Sequence, residues 1–309
     1  MPLPNVPGVR VHAEVSRALA AGTAVVALES VVVTHGLPAP HNLDLARRME
    51  DTVRTEGAVP ATVAILDGQI RVGLDPAEMA DLAGRTTLRK CSIRDLPVAV
   101  GLGESGGTTV AATAWVASRV GIRAFATGGT GGVHPGVDHR LDISADLPAL
   151  ADCPIVVVSA GAKSILDLPN TLEVLETLSV PVIGYGTDTL PGFHTRSTGL
   201  CLEARVDDVA GVVRIARARD ALGLRQALLV VQPVAEADAV PPAAVERAVE
   251  AANARAAQAG VHGSALTPFV LGALNDAEED PRFLRANLSL LAANAALAAR
   301  IARGLAGGA

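Results

Sequence analysis

Short apolar runs rich in β-branched residues alternate with segments of helical periodicity along this chain, and this alternation restricts the fold more than any other feature. The runs that predict buried strands are 24–33, 123–129, 154–161, 181–186 and 227–233. The segments that predict helices are 11–22, 41–57, 108–121 and 207–222. Strands joined through helices pair in parallel and need cover on both faces. The pattern therefore predicts an α/β fold with a largely parallel central sheet and helices on both faces, an α/β/α sandwich.

Two regions depart from this alternation. Residues 60–73 place apolar strands on both sides of Asp67 and Gly68, which is the signal of a β-hairpin. After the last strand, periodic segments at 245–260 and 281–305 predict a helical C-terminal part. The Pro- and Ala-rich stretch 234–244 is the best candidate for an exposed connection. Since there is no fixed-period repeat and no linker, we expect one domain spanning residues 1–309.

The amino-acid composition and net charge restrict the kinds of molecule that this protein can bind. Half of the residues are hydrophobic but only 2% are aromatic, so Ala, Val, Leu and Ile must build the core. The net charge is −6 and no basic cluster is interleaved with aromatic residues, which argues against nucleic acid or an anionic membrane as partner and favours a small molecule. Three cysteines without C-x-x-C spacing predict reduced thiols. With no targeting or membrane segment recognised in the sequence, we expect a cytoplasmic protein.

The lysine count is unusual. Only Lys90 and Lys163 occur, beside twenty-four arginines. An amine in a desolvated pocket can lose its proton and attack a carbonyl or anomeric carbon, which a guanidinium cannot do. Lys163 follows a predicted buried strand and Lys90 lies at a predicted turn, so neither belongs to a charged helix face. The alternative is that the two lysines have no catalytic role, were retained by chance and form surface salt bridges.

Glu29 is the next unusual residue, because it places a carboxylate inside the predicted strand 24–33. An unpaired charge there would cost several kcal/mol, so the side chain must face a site or be paired. Burial would raise the pKa of Glu29 toward the range of a proton donor at neutral pH. The alternative is a Glu at a strand end that accepts a backbone N–H.

A glycine-rich segment at 101–115 enters a predicted helix. Gly101, Gly103 and Gly106 match the G-x-G-x-x-G pattern, but the acidic residue expected about 20 residues later in dinucleotide-binding folds is missing. We therefore favour an anion such as phosphate, bound at the helix N-terminus with the Thr108 and Thr109 hydroxyls. A tight turn without ligand remains the alternative.

The segment 126–147 contains several glycines and several possible metal ligands. A transition-metal site can be drawn through His134, Asp138 and His139, but the spacing lacks a helical H-x-x-x-H pair. The acidic residues fit an oxygen-rich Mg²⁺ or Mn²⁺ site better, with one carboxylate as anchor and water completing the shell. Asp142 or Asp146 would be that anchor.

Long ordered motifs resemble a known family. They are LESVVVTHGLP, KCSIRDLP, GGTTVAAT, FATGGTGGVH, DISADL, SAGAKSILD, IGYGTDTLPGFHTRSTGL and RANLSLLAANAALAARIA. Together they resemble the pseudouridine-5′-phosphate glycosidases, also called indigoidine synthase A-like proteins, over roughly residues 10–303. The resemblance implies reversible cleavage of the C–C glycosidic bond of pseudouridine 5′-phosphate to uracil and ribose 5-phosphate, through a lysine imine and with Mn²⁺.

The resemblance also assigns roles to residues. It implies Lys163 as the covalent lysine, Glu29 as the acid/base residue and Asp142 as the anchor of one Mn²⁺ per subunit. The substrate contacts it implies are Lys90, Thr109, Val110, His134, Ser144, Ala145, Asp146 and Asn287. It further implies a homotrimer.

Two other functions stay open on the residues alone. One is an aldolase-type Schiff-base enzyme acting on a phosphosugar, which shares Lys163 and a phosphate site but needs no nucleobase site. The other is a non-catalytic sugar-phosphate binding protein, against which the presence of both Glu29 and Lys163 counts. Release of free uracil separates the three hypotheses.

Overall fold

The computed structural model describes residues 8–36, 40–135, 142–261, 266–276 and 280–307. The strands are β1 Val9–Val11, β2 Val25–Glu29, β3 Val59–Leu66, β4 Gln69–Val72, β5 Arg89–Cys91, β6 Gly106–Thr108, β7 Ala124–Ala126, β8 Val156–Ser159, β9 Val182–Tyr185, β10 Ala204–Val206 and β11 Leu228–Val231. The helices are α1 Ala13–Ala20, α2 Val31–His35, α3 His41–Thr55, α4 Pro76–Gly84, α5 Leu96–Leu102, α6 Val110–Arg119, α7 Asp146–Leu150, α8 Leu168–Thr177, α9 Val209–Ala221, α10 Pro242–Gln258, α11 Leu266–Leu274 and α12 Pro281–Ala306.

One sheet organises these elements, in the order β1-β4-β3-β2-β7-β8-β11-β9-β10, with β5 and β6 attached beside β3. Its central strands pair in parallel, and β3 pairs antiparallel with both β4 and β6. The β3–β4 connection is the predicted hairpin: Asp67 and Gly68 have φ of 48° and 75°, the left-handed values that a type I′ turn requires. The predicted largely parallel sheet is confirmed.

Alternate residues of the central strands feed two cores, one on each face of the sheet. In β2, Val26 and Leu28 belong to one core, whereas Val25 and Ala27 belong to the other. Helices α3, α9 and α12 cover the first face, and α1, α6, α7 and α8 cover the second. Because both faces are covered, the strands read as continuous apolar runs. The predicted helices on both faces are therefore present.

The C-terminal helix α12 has the length and composition of a helix that crosses a membrane, a feature that the sequence analysis did not single out. In this fold 56% of its most apolar 18-residue window is buried. Phe283, Leu290 and Ile301 on that face join the first core, next to the central strands. The packing is that of a core helix in a globular protein.

Two predicted local structures are wrong. The strand predicted over 24–33 ends at Glu29, and Val31–His35 form α2. Ser30 explains the change: its hydroxyl donates to the Val63 carbonyl (2.6 Å), while its own carbonyl accepts the Thr34 N–H (3.0 Å) and starts a helical turn. Lys90, expected at a turn, lies in β5, which pairs with β6.

Candidate active site

Three neighbouring parallel strands end at one edge of the sheet, and each leads into a polar side chain. Glu29 is the last residue of β2, Thr127 follows β7 directly, and Lys163 lies in the loop after β8. Residues beyond the carboxyl ends of parallel strands converge on one crevice, where α/β proteins bind their ligands. The two unusual residues of the sequence, Glu29 and Lys163, therefore lie at the same edge.

Glu29 is buried, with 6% of its surface exposed. Its Oε1 accepts a short hydrogen bond from the Thr127 hydroxyl, whereas no described group hydrogen-bonds its buried Oε2. Burial raises the pKa of Glu29 from an ordinary 4.5 to about 7, although the Lys163 charge and the Thr127 hydrogen bond act in the opposite direction. The predicted rise in the pKa of Glu29 is confirmed. Such a carboxyl can give or take a proton near neutral pH.

Lys163 is half-buried in a loop that is pinned to the loop after β7. Its backbone N–H donates to the Thr130 carbonyl (3.1 Å), and the Thr130 N–H donates to the Gly161 carbonyl (3.1 Å). Thr130 is fully buried, and its hydroxyl has no hydrogen-bond partner among the described residues. The two loops thus hold the Lys163 backbone where its ammonium charge acts on Glu29.

Lys90 joins the same electrostatic cluster from β5. Burial lowers the pKa of Lys90 and the Lys163 charge lowers it further, while Asp146 and Glu29 act to raise it. The site thus gathers two lysines and two carboxyl groups close enough to influence the ionisation of Lys90.

The buried Asp146 carboxylate links the first turn of α6 to the loop after β7. Its Oδ1 accepts the Ala111 N–H near the start of α6 (2.9 Å), and its Oδ2 accepts the Gly131 N–H (2.8 Å). A Cβ at Gly131 would lie 2.1 Å from the Ser144 Oγ and 2.7 Å from the Asp146 Oδ2, so only glycine permits this approach. Part of the predicted anion site at the α6 N-terminus is therefore taken by the protein's own carboxylate.

The two threonines predicted at that helix N-terminus differ. The Thr108 hydroxyl is used within the fold, because it donates to the Val63 carbonyl (2.7 Å) and pairs with Thr113 (2.8 Å). The Thr109 hydroxyl is buried and has no partner among the described residues. Thr109 is thus the one of the two with an unused hydrogen-bonding group.

His134 and Asp142 form the next part of the site. The His134 N–H donates to the Asp142 carbonyl (2.9 Å), and the His134 Nε2 lies 3.4 Å from the Thr267 hydroxyl of α11. Burial lowers the pKa of His134, and the Asp142 charge acts to raise it. Ser144 accepts the Asp146 N–H through its hydroxyl (3.2 Å), and the adjacent Ala145 is exposed.

Val110 and Asn287 differ from the other predicted contacts. The Val110 side chain is buried in the second core, so it can meet a ligand only through its backbone. Asn287 is buried on α12, and its Nδ2 donates to the Asn275 Oδ1, 3.4 Å away. Among the described residues, no hydrogen bond joins Asn287 to the charged cluster.

The described residues contain no group of three or more His, Cys, Asp or Glu side chains that could hold a metal ion. The alternative metal site drawn through His134, Asp138 and His139 depends on two residues, Asp138 and His139, that lie outside the described residues. Cys91 and Cys153 are buried, Cys201 is exposed, and all three are free thiols, as predicted.

Sequence reasoning missed three polar residues around the site. Thr127 and Asn294 are fully buried, and the Asn294 Nδ2 donates to the Thr127 carbonyl (2.8 Å). His194 is also fully buried; burial lowers its pKa to about 3, and its Nδ1 lies 3.0 Å from the Ser164 hydroxyl, next to Lys163. Asn294 could have been found from the sequence, because a polar amide at a core-facing position of an apolar helix requires a hydrogen-bond partner.

Comparison with known proteins gives consistent results. The family of indigoidine synthase A like proteins matches residues 14–304. A pseudouridine-5′-phosphate glycosidase of Methylobacterium nodulans is 50% identical over 95% of this chain and 87% of that protein. One of Paracoccus denitrificans is 48% identical over 97% of this chain and 99% of that protein.

Two solved structures share the fold. An indigoidine synthase A-like protein of Thermotoga maritima superposes with a TM-score of 0.87 at 36% identity, covering 96% of each chain. The prealnumycin C-glycosynthase AlnA, solved in complex with ribulose 5-phosphate, superposes with a TM-score of 0.88 at 38% identity, covering 98% of each chain.

The fold and the site together define an α/β protein with a buried carboxyl and two lysines at the carboxyl edge of a largely parallel sheet. The chain belongs to the indigoidine synthase A-like family.

Proposed function

We propose that this protein is an enzyme that reversibly cleaves the C-glycosidic bond of pseudouridine 5′-phosphate to uracil and ribose 5-phosphate. The observation that carries the proposal is that Glu29, whose pKa is raised to about 7, and Lys163 lie at the same edge of the sheet, close enough to interact electrostatically. Relatives of 48% to 50% identity that carry the name of this activity support it.

The chemistry of the substrate explains why a lysine is needed. Uracil is attached to the sugar through carbon, so protonation of a leaving oxygen or nitrogen, the usual glycosidase strategy, cannot expel it. Lys163 instead attacks C1′ as its neutral amine while the bond between C1′ and the ring oxygen breaks. Glu29 donates a proton to that ring oxygen as the ribose opens.

Carbon–carbon cleavage then follows from the new C1′–N bond. The nitrogen, which became positively charged in the attack, first gives a proton to the Glu29 carboxylate. Its lone pair then forms the C1′=N bond of a protonated imine, and the electrons of the C1′–C5 bond go to uracil C5, which takes up a proton. One water hydrolyses the imine, releases ribose 5-phosphate and restores the Lys163 amine.

The geometry of the cluster supports two of the proposed substrate contacts, and the family resemblance supplies the others. Lys90 and the unpartnered Thr109 hydroxyl suit the phosphate, and Val110 would contribute its backbone. We further assign substrate contacts to His134, Ser144, Ala145, Asp146 and Asn287. For Asp146 the contact would be indirect, since both of its oxygens accept backbone N–H groups.

We also propose Asp142 as the residue that holds Mn²⁺. The donor set fits a hard cation bound through one carboxylate and water, because Asp146 has both oxygens occupied while Asp142 is half-buried beside His134. A bound Mn²⁺ would supply positive charge, through its waters, for the negative charge that develops on uracil. Chelator should abolish uracil release and Mn²⁺ should restore it. Full activity of Asp142→Ala in chelator would contradict the need for a metal. Mn²⁺ binding by that variant as tight as wild type in calorimetry, without chelator, would contradict Asp142 as its ligand.

The substrate test compares two nucleotides. Pseudouridine 5′-phosphate should release uracil, whereas uridine 5′-phosphate should not, because only the carbon-linked base requires the imine route. Equal turnover of both would indicate an ordinary hydrolase. Turnover of a phosphosugar without uracil release would favour the aldolase alternative.

The covalent test uses ribose 5-phosphate and borohydride. Reduction should inactivate the enzyme and leave one sugar phosphate on the peptide that contains Lys163. Lys163→Arg should neither release uracil nor be labelled, while the matched variant Lys90→Arg should still be labelled at Lys163. Labelling at Lys90, or uracil release by Lys163→Arg, would refute the assignment.

We expect the enzyme to act in the cytoplasm as a homotrimer, without nucleic acid or membrane. The free cysteines and the net charge of −6 support the location and the absence of those partners. The trimer rests on the family resemblance. Light scattering of the purified protein would test it, and a monomeric mass would contradict it.

A further inference from the structure

The two carboxylate oxygens of Glu29 have different surroundings. Oε1 accepts the Thr127 hydroxyl, and Oε2 is buried without a partner among the described residues. Thr127 can take this place because β2 and β7 are paired in register, with Leu28 opposite Ala126. The two residues that follow this pair, Glu29 and Thr127, therefore lie side by side.

Thr127 is itself held from two sides. Its backbone N–H donates to the Val158 carbonyl of β8 (3.0 Å). Its carbonyl accepts the Asn294 Nδ2 from α12 (2.8 Å), which also lies 3.4 Å from the Gly128 carbonyl. Both Thr127 and Asn294 are fully buried, so water does not compete for these bonds.

Asn294 is oriented by a second amide. Its Oδ1 accepts the Gln232 Nε2 (2.9 Å), and the Gln232 backbone N–H donates to the Ser159 carbonyl (3.0 Å). The opposite amide orientation of Asn294 would set its oxygen against the Thr127 carbonyl, so only one orientation satisfies every group. The donors thus run in one direction, from Gln232 to Asn294, from Asn294 to Thr127, and from Thr127 to Glu29.

We propose that Gln232, Asn294 and Thr127 form a positioning chain that fixes the Glu29 carboxyl and leaves its exchangeable proton on Oε2. The reason is geometric: an oxygen that accepts the Thr127 hydroxyl is the poorer place for the proton, so the carboxylic acid form carries it on the oxygen without an internal partner. This inference rests on the proposed acid/base role of Glu29. None of the three residues needs to touch substrate.

The charges that face Glu29 set the direction of the test. Lys163 and Lys90 favour its ionised form, Asp146 opposes it, and the Thr127 hydrogen bond favours it. Removing that hydrogen bond while the other groups stay in place should therefore raise the pKa of Glu29 further. A purely structural role for Thr127 would not move this ionisation.

Thr127→Val is the test variant, because it removes the hydroxyl and nearly preserves the volume. We expect kcat for pseudouridine 5′-phosphate to fall by roughly 10- to 100-fold with KM little changed, since the carboxyl is mispositioned but binding is kept. In the pH profile of kcat, the limb that reflects ionisation of Glu29 should move to higher pH. Thr127→Ser keeps the hydroxyl and should restore both the rate and the pH profile. A Thr127→Val enzyme with the wild-type profile, or a Ser variant as impaired as the Val variant, would overturn the proposal.

Substitutions at Asn294 and Gln232 provide a second, independent test of the chain. Asn294→Leu and Gln232→Leu should shift the same limb in the same direction, and Asn294→Leu combined with Thr127→Val should shift it no further than Thr127→Val alone. If Asn294→Leu does not fold, Gln232→Leu at a half-buried position carries this arm. Additive shifts, or an unmoved limb in Gln232→Leu, would contradict a connected chain.

Imine trapping separates this inference from the proposed function. Thr127→Val should still be labelled at Lys163 by ribose 5-phosphate and borohydride, because the amine is untouched. Absence of labelling and of uracil release in the wild-type protein would refute the proposed function instead.

Discussion

At Glu29, burial and the positive charge of Lys163 act on the pKa in opposite directions. The residue is 6% exposed, and burial raises the pKa of its carboxyl although the Lys163 charge and the Thr127 hydrogen bond act to lower it. A carboxyl so placed is useful for proton transfer because it is only partly ionised at neutral pH. The same placement should cost the folded state free energy once the carboxyl does ionise.

Glu29→Gln should therefore stabilise the protein above neutral pH. The unfolded pKa is near 4.5 and the folded pKa is about 7, so wild-type stability is undiminished below 4.5 and falls as pH rises through the folded pKa. At pH 8 the variant should be more stable by about 3 kcal/mol, and at pH 4 the two proteins should be alike. Urea unfolding at both pH values measures the difference.

The exposed Glu236 offers the control, since Glu236→Gln should leave the stability nearly unchanged at both pH values. A Glu29→Gln protein with the same advantage at pH 4 as at pH 8 would indicate that packing, not ionisation, causes the gain.

At the scale of elements, the glycine-rich segment 101–107 serves packing more than ligand binding. Gly103 ends α5 in a left-handed conformation with φ of 68°. A Cβ at Gly106 would lie 2.4 Å from the Arg89 carbonyl oxygen, and one at Gly107 would lie 2.1 Å from the Thr34 Oγ1. These glycines let β6 approach β5 and α2 closely, which brings Lys90 and Thr109 to the site.

Gly106→Ala should accordingly destabilise the protein by about 1 to 3 kcal/mol, because the added methyl group meets a backbone carbonyl that cannot move alone. It should also weaken substrate binding by displacing Lys90. Gly101→Ala is the matched control: nothing lies within 4 Å of its Cβ, and alanine favours the helix by up to about 1 kcal/mol. Thermal unfolding and KM distinguish the two, and equal effects of both substitutions would contradict the packing role.

At the scale of the whole molecule, α12 joins parts of the chain that are far apart in sequence. Its buried face belongs to the core that contains β2, β7 and β8, and its Asn294 reaches the Thr127 carbonyl. Arg300 on the same helix pairs with Glu56 after α3 (3.1 Å). The last helix thus supports the fold and the site together.

A chain that ends at residue 280 should not fold cooperatively. It would lose buried side chains such as Phe283, Leu290 and Leu291, each worth about 1.5 to 3 kcal/mol, against a typical total stability of roughly 5 to 15 kcal/mol. Circular dichroism during thermal unfolding is the measurement. A chain that ends at residue 306 keeps α12 and should unfold like the full-length protein. A sharp transition in the shorter chain would show that α12 is dispensable.

The class of fold and the unusual residues could be found from local patterns alone. Periodicity of apolar residues marks strands and helices within short windows, and the rule that ligands lie beyond the carboxyl ends of parallel strands placed Glu29 and Lys163 near a site. The roles of these residues came from motifs that resemble a family. Local patterns failed where a contact distant in sequence determined the local structure. At Ser30, a hydrogen bond to the Val63 carbonyl ends β2 four residues before the predicted end of the strand.

Only the folded chain brings Glu29, Thr127 and Asn294 together, since they lie 98 and 167 residues apart along it. Folding also brings Asp146 to Ala111 and Gly131, whose N–H groups its carboxylate accepts. This carboxylate occupies part of the helix N-terminus that the sequence alone predicted for a phosphate. The physical reason is that apolar periodicity is a local property of the chain, whereas a pKa or a hydrogen-bond partner depends on groups that become neighbours only when the sheet has formed.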